Sequence, residues 1–416
     1  MKARMSLFLP GALVVPVVFA APQPAAGAGF AIHEQGAAAT GRGCAVTAVA
    51  DTPSALYYNP AGLTMQGSFG VELGDTLIMP LATHVDPATR LETDAEDNVF
   101  YPPTVYAAMR FGAGIVVGLG VFSPYGLGME WPAGWAGDDE IRSIDLQTFD
   151  VDLAIAWRPL EWLAIAAGLD TVITTVELQK KLDFVEQRRT LHAAATTFGV
   201  GGNAGLLVRI LEDRLSFGVS YRSAVGLSFV GDADFTVPTP FADRMQDQPL
   251  ESSITLPHRI ALGIAWLPID LLTLSLDVDI TTWSSFDRFG FTFPEDADRP
   301  EDERLTQFEP RNWSDTFAIR FGVQVRPPDR DFALRLGLVY DRSPSPTNTM
   351  SPSLPDADRV DVAVGAGYEF GGGFRFDVAY MYVHMFERST TGDAFPGTYR
   401  SSAHLVGFSL GYSYGE

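Results

Sequence analysis

The sequence predicts an all-β protein: a fourteen-stranded antiparallel transmembrane β-barrel with a short N-terminal plug, or hatch, inside the lumen. Three observations carry the prediction. Apolar and polar residues alternate with period two from about Gly67 to the C-terminus, the joints between strands are short and long in turn, and the segment before the strands is rich in Gly and Ala with no strand period.

Residues 1–27 carry Lys2 and Arg4, then the apolar run Leu7 to Ala21, then Ala25-Ala26-Gly27. A positive start, a short hydrophobic centre and small residues before a cut make a removed secretory signal. No later segment has about 18 consecutive apolar residues, so the mature chain is expected to have no transmembrane helix. The single cysteine, Cys44, lies past the expected cut and cannot form an internal disulfide. Its expected role is a small buried residue within the plug.

Residues 28–62 are the expected plug. Gly36, Ala37, Ala38, Ala39, Gly41 and Gly43 let the backbone turn tightly and pass close to a wall. Pro60 fixes its own φ and restrains Asn59, whose amide can bond local backbone, so Asn59-Pro60-Ala61 reads as the joint between plug and first strand.

Residues 63–416 hold the strands, at roughly 67–80, 99–110, 113–123, 145–158, 162–178, 194–209, 214–231, 251–267, 270–284, 311–326, 331–341, 359–370, 373–387 and 401–414. The clearest is Leu272, Leu274, Leu276, Val278 and Ile280 on one face against Thr273, Ser275, Asp277, Asp279 and Thr281 on the other. No amphipathic helices are available to cover so many half-apolar strands, which favours lipid outside and a polar lumen over a soluble sandwich. Short joints such as Phe111-Gly112, Pro268-Ile269 and Gly371-Gly372 follow even-numbered strands. Long ones, at 81–98, 124–144, 179–193, 232–250, 285–310, 342–358 and 388–400, follow odd-numbered strands. That places both termini in the periplasm. Tyr101, Trp157, Trp162, Trp266, Trp283, Trp313, Tyr340, Tyr382, Tyr412 and Tyr414 stand near strand ends and are expected to form two aromatic girdles.

A formal charge of -22 argues against a nucleic-acid partner. Six histidines show no paired metal spacing, and no cofactor motif is present. Gly407-Phe408-Ser409-Leu410-Gly411 matches the Gly-x-Ser-x-Gly pattern of hydrolases, but it lies within an alternating strand, with Ser409 toward the lumen, and not on a strand-to-helix elbow. The chain is therefore not expected to be an enzyme. A barrel lipase or esterase and an adhesin are the readings of a different class. Phe122, Leu127, Met129, Trp131 and Trp135 concentrate apolar surface in the third loop, a candidate capture site for a hydrophobic molecule. A carboxylate would need a cation, and Arg142, Lys180, Lys181, Arg188 and Arg189 lie near that rim with none singled out. The loop from Ser285 to Pro310 holds eight acidic residues against three basic ones, a solvated face or a site for divalent ions bridging lipopolysaccharide.

Ala28-Gly29-Phe30 with Glu34-Gln35, Gly41-Arg42 and Asn59-Pro60-Ala61-Gly62-Leu63 resembles the start of the FadL-type outer-membrane transporters of long-chain fatty acids and, in the TodX-like branch, aromatic hydrocarbons. Ser123-Pro124-Tyr125-Gly126-Leu127, Trp313-Ser314-Asp315 and Tyr340 to Arg359 are similar to later segments of that family. The chain departs from it in ending Tyr414-Gly415-Glu416 and not on an aromatic, and in having Cys44 where a larger aromatic is common. The resemblance implies passive uptake of hydrophobic molecules, most simply long-chain fatty acids with aromatic or alkane hydrocarbons as the alternative, by a monomer in the Gram-negative outer membrane among lipid and lipopolysaccharide. It implies that Gly29, Phe30, Asn59, Pro60, Ala61 and Gly62 belong to the gating plug, with Phe30 at the ligand pocket. It also implies lateral release near the third strand. Pro80, Pro102, Pro103 and Pro124 at neighbouring strand ends point to the same arc, and Gly118, Gly120, Ser123, Pro124, Tyr125 and Gly126 are the residues assigned to the gap.

Overall fold

The computed structural model describes residues 29–112, 114–184, 187–236, 247–294, 306–392 and 394–415. The expected signal at 1–27 lies outside them, as do Ala28, much of the acidic loop and the side chains of Lys181, Arg188 and Arg189.

Fourteen antiparallel strands close into a barrel. They are β1 (Phe69–Val85), β2 (Pro103–Phe111), β3 (Ile115–Phe122 continued by Gly126–Glu130), β4 (Ser143–Leu160), β5 (Leu163–Phe184) and β6 (Gln187–Ile210). Next come β7 (Leu215–Arg222 continued by Val225–Thr236), β8 (Gln248–Leu256 continued by Arg259–Ile269) and β9 (Leu272–Thr281). The last five are β10 (Thr316–Val325), β11 (Phe332–Asp341), β12 (Arg359–Phe370), β13 (Phe374–Met385) and β14 (Thr398–Tyr414). Each pairs with its neighbour in sequence, and β14 returns to β1 along the whole length of both, from Phe69↔Tyr414 to Val85↔Thr398. Closure leaves no free edge, which is the condition for strands to cross hydrocarbon.

Outward residues are apolar and exposed. Leu334, Leu336 and Leu338 of β11 alternate with buried Ala333, Arg335 and Val339, and Leu153 and Ile155 of β4 alternate with Ala154 and Ala156. A continuous exposed apolar band of this kind is stable only against acyl chains. Inward, the wall is charged. From β8 to β12 each strand places one lumenal charge beside its neighbour's: Arg259 and Arg320 bind Asp279 at 3.0 and 2.8 Å, and Arg359 binds Asp341 at 3.1 Å. Arg320 also stands 4.0 Å from Asp341, and Arg359 stands 3.5 Å from Asp361. Arg222 of β7 gathers Asp150, Asp152 and Asp170 from β4 and β5.

Short turns fall where expected, as at Gly112, 211–214 and 371–373, where Gly112, Gly371 and Gly372 take positive φ. At the other end the strands run farther than their alternation suggests. The 179–193 joint is largely strand, with β5 and β6 paired out to Phe184↔Gln187. Beyond the bilayer the outer face no longer has to be apolar, so the period fades while the backbone ladder continues. Pro80 likewise does not close β1: it pairs opposite Ala403 of β14, and on its other side the ladder to β2 has already ended at Asp75↔Pro103.

The N-terminal segment is packed against the inner wall. It contains α1 (Ala37–Thr40), α2 (Ala55–Tyr58) and a 3-10 helix at Pro60–Met65, and nearly all of its residues are buried. Thr47 N–H donates to Asp277 of β9 at 2.8 Å, Ala37 N–H to Ser409 of β14 at 3.0 Å, and Arg320 to the Gly43 carbonyl at 3.4 Å. Gly41 approaches Gly365 of β12, and Gly43 approaches Gly337 of β11, so closely that a Cβ on Gly41, Gly365 or Gly337 would have to displace backbone. Burial and the nearby Arg320, Arg259 and Arg359 push the His33 imidazole well below its usual range.

Candidate functional site

Gly29 begins the site. Its φ of 63° is in the left-handed region, and a Cβ there would stand 2.5 Å from the Trp283 ring, so glycine alone lets the chain pass. Phe30 follows and is enclosed by four rings: Trp283 at 4.8 Å, Phe286 at 5.4 Å, and Tyr125 and Trp313 at 5.9 Å. Edge-on and tilted geometries dominate, as ring quadrupoles favour. Beside Phe30 lies a narrow, largely apolar cavity. Leu127, Ile144, Leu146, Val176 and Ile254 supply its aliphatic wall, Phe286, Phe289 and Trp313 its aromatic wall, and serines and Thr349 of the 342–358 loop its polar margin.

Among the described residues one cation lines this cavity. Arg311, buried, binds Glu309 at 2.9 Å and lies over the Phe289 ring, 5.8 Å from its centroid. Burial lowers its pKa, offset in part by Glu309. Arg311 is not one of the five rim cations that the sequence offers for a carboxylate. Trp283 and Trp313, which their strand-end positions assign to the membrane girdle, both turn inward instead; Trp157, Trp162 and Trp266 do face outward. Strand-end position sets the depth of a ring but not its direction, and these two lie beyond the last period-two residue, in the connection between β9 and β10.

The break in β3 is tied to the same segment. Ile32 N–H donates to the Pro124 carbonyl and Gly126 N–H to the Phe30 carbonyl, both at 2.8 Å. The Gln35 amide donates to the Ser123 carbonyl at 2.7 Å. Tyr125 and Thr148 of β4 exchange two further bonds, at 3.1 and 2.6 Å. Ser123, Pro124 and Tyr125 therefore leave the β3–β4 ladder and bond inward, whereas Gly126 resumes it opposite Gln147. Gly118 and Gly120 stand apart from the break. Both are paired on either side, and they admit Leu63 and Leu56 of the N-terminal segment, whose methyls lie 2.6 and 2.7 Å from where a Cβ would be.

Asn59, Pro60, Ala61 and Gly62 are remote from the cavity residues and pack near the short-turn end. The Asn59 amide donates to the Thr47 carbonyl at 2.8 Å and to the Leu206 carbonyl of β6 at 3.0 Å, and its oxygen caps Ala61 N–H at 3.2 Å. Gly62 abuts Ala50 with no room for a side chain.

The five candidate capture residues are all buried. Leu127 lines the cavity. Trp131 and Trp135 stack at 4.6 Å beneath the long loops, their indole N–H groups bound to the Pro352 and Ile141 carbonyls. Phe122 belongs to a separate cluster with Tyr57 and Tyr106. Ser409 accepts the Ala37 N–H inside the wall, and Cys44 is buried with its thiol pushed up to about 12. Neither is poised as a nucleophile.

Residues 17–414 match the family described as outer membrane protein transport protein (OMPP1/FadL/TodX). The long-chain fatty acid transport protein of Salmonella typhi is 24% identical, over 92% of this chain and 93% of its own length. Among solved structures, a Pseudomonas aeruginosa FadL homologue superposes with a TM-score of 0.82 at 18% identity, covering 93% of this chain and all of its own. The Pseudomonas putida toluene transporter TodX gives 0.66 at 17% identity, over 94% and 98%.

Proposed function

The chain belongs to the outer membrane protein transport family (OMPP1/FadL/TodX), a transporter of hydrophobic substrates in the Gram-negative outer membrane, and from that premise we propose that its cargo is long-chain fatty acids, taken up passively. The observation that carries this reading is the Phe30 cavity: an apolar enclosure with one buried guanidinium, Arg311, at its lining. An acyl chain gains about 0.8 kcal/mol for each CH₂ taken from water, and the carboxylate finds a bidentate partner where Glu309 now sits. No energy source is needed for a gradient-driven step that ends in hydrocarbon.

Residues 28–62 act as the plug in this proposal. Bound cargo displaces Phe30, Phe30 is joined to Gly126 by a backbone bond, and release follows at Ser123-Pro124-Tyr125, where β3 has left its ladder. Capture by the third loop requires Trp131 and Trp135 to leave their stack. Aromatic hydrocarbons remain the second reading, favoured by the rings of Phe286, Phe289 and Trp313 in the cavity wall.

The test is uptake of oleate and of toluene by proteoliposomes holding the purified chain, with mass spectrometry of whatever co-purifies. Saturable oleate uptake without an added energy source supports the fatty-acid reading. Toluene uptake alone replaces it with the hydrocarbon reading, and transport of neither sinks both.

A further inference from the structure

The wall carries a second break, and no proline marks it. Between β6 and β7 the ladder is regular from Ile210↔Leu215 to Asn203↔Arg222, then resumes at Ala195↔Gly231, one residue out of register. Among the described residues no ladder pairing joins 196–202 of β6 to 224–230 of β7. Seven residues of strand are about 23 Å of wall. The bonds found there are few: Ser223 N–H to the Gly202 carbonyl and Gly202 N–H to Ser223 Oγ, both at 2.9 Å, and Thr197 Oγ1 to the Ser228 carbonyl at 2.7 Å.

What fills the seam is an apolar side chain. Val225 rests on two glycines of β6: a Cβ at Gly199 would stand 2.5 Å from its Cγ1, and one at Gly201 2.8 Å from its Cγ2. On the lumenal side Val225, Leu227 and Phe229 are buried in the same cluster as Phe30, and Leu227 pairs with Ile254 of the cavity wall. On the outer side Phe198 and Val230 are among the most exposed apolar residues of the barrel, at 69% and 68%. A wall with a sealing role alone would gain hydrogen bonds by losing this irregularity, because unpaired backbone is costly in hydrocarbon.

We propose that the β6–β7 seam is a second lateral portal, through which an apolar substrate passes between the Phe30 cavity and the hydrocarbon of the bilayer, with Val225 as its latch. The proposal rests on the reading of the chain as a transporter of hydrophobic molecules. Opening here displaces one side chain from two glycines and breaks the few bonds named above, whereas opening a complete ladder breaks a full row of backbone bonds.

The test places cysteines at the outward positions of the seam, Val200→Cys with Gly226→Cys, and bridges them with a short dithiol-reactive linker. Bridging is expected to lower oleate or toluene uptake at least threefold while the unbridged variant matches wild type, and Val225→Ala is expected to raise uptake. Equal uptake with and without the bridge overturns the portal. If unbridged and wild-type chains carry neither probe, it is the transport reading that fails. Amide hydrogen exchange of the wild-type chain in lipid nanodiscs decides independently of any variant. Residues 196–202 and 224–230 should exchange at least tenfold faster than 204–210, and equal protection overturns the proposal.

Discussion

Gly126 donates its amide proton to the carbonyl of Phe30 at 2.8 Å, so the residue at the cavity is bound through its own backbone to the point where β3 resumes its ladder. Displacing one should loosen the other. Gly29→Val forces this, since its φ of 63° disfavours a side chain and Trp283 occupies the space. The expected outcome is faster amide exchange at 123–126 together with at least tenfold weaker oleate binding. Unchanged exchange at Gly126 would show that the two are independent.

Gln35 is wholly buried and bonds the Ser123 and Ile32 carbonyls through one amide nitrogen. Gln35→Leu keeps the bulk but leaves those carbonyls without that donor, at a cost of about 1–3 kcal/mol. Planar-bilayer recording should show more frequent ion-conducting openings than in wild type.

Arg311→Met retains length and apolar contact but removes the cavity-lining cation. Oleate uptake should fall about tenfold while toluene uptake stays within twofold, and Arg311→Lys should recover part of the loss. An equal drop for both probes would mean that Arg311 serves the fold and not the carboxylate.

Asp356, in the loop between β11 and β12, accepts from Ser343 and from the Gly29 N–H, yet burial pushes its carboxyl up to about 7. Unfolded, it titrates near 3.8. The folded chain therefore holds an extra proton between these values, and the stability this confers is complete below about pH 4 and lost as pH rises to about 7. Asp356→Asn should flatten the thermal unfolding midpoint across that window relative to wild type. Parallel pH curves for the two proteins would refute the assignment.

Ser409→Ala removes the acceptor of the Ala37 N–H. It should cost about 1 kcal/mol and leave any background hydrolysis of p-nitrophenyl esters unchanged. Loss of hydrolysis would revive the esterase reading.

Much of the architecture was legible because lipid imposes one rule on every strand. An outward residue such as Leu336 must be apolar, so alternation survives wherever the wall meets acyl chains. Inside, alternation marks Asp279 and Arg320 only as polar, and their partnership depends on which strands become neighbours. Phe30 and the β3 break at Ser123-Pro124-Tyr125 were located through a recognisable motif, but Trp283, Phe286, Trp313 and Arg311 come from a connection without periodicity, where no parity says which way a side chain points. Gly199 and Gly201 read as ordinary strand residues, because a glycine in a sequence does not say what is pressed against it.

The lumenal pairs of β8 to β12 have an electrical consequence. Arg259, Asp279, Arg320, Asp341, Arg359 and Asp361, carried on five strands, form one continuous row of alternating sign, each ion touching the next. All six are buried, so salt in the bathing solution screens them little and the row should hold together at high ionic strength.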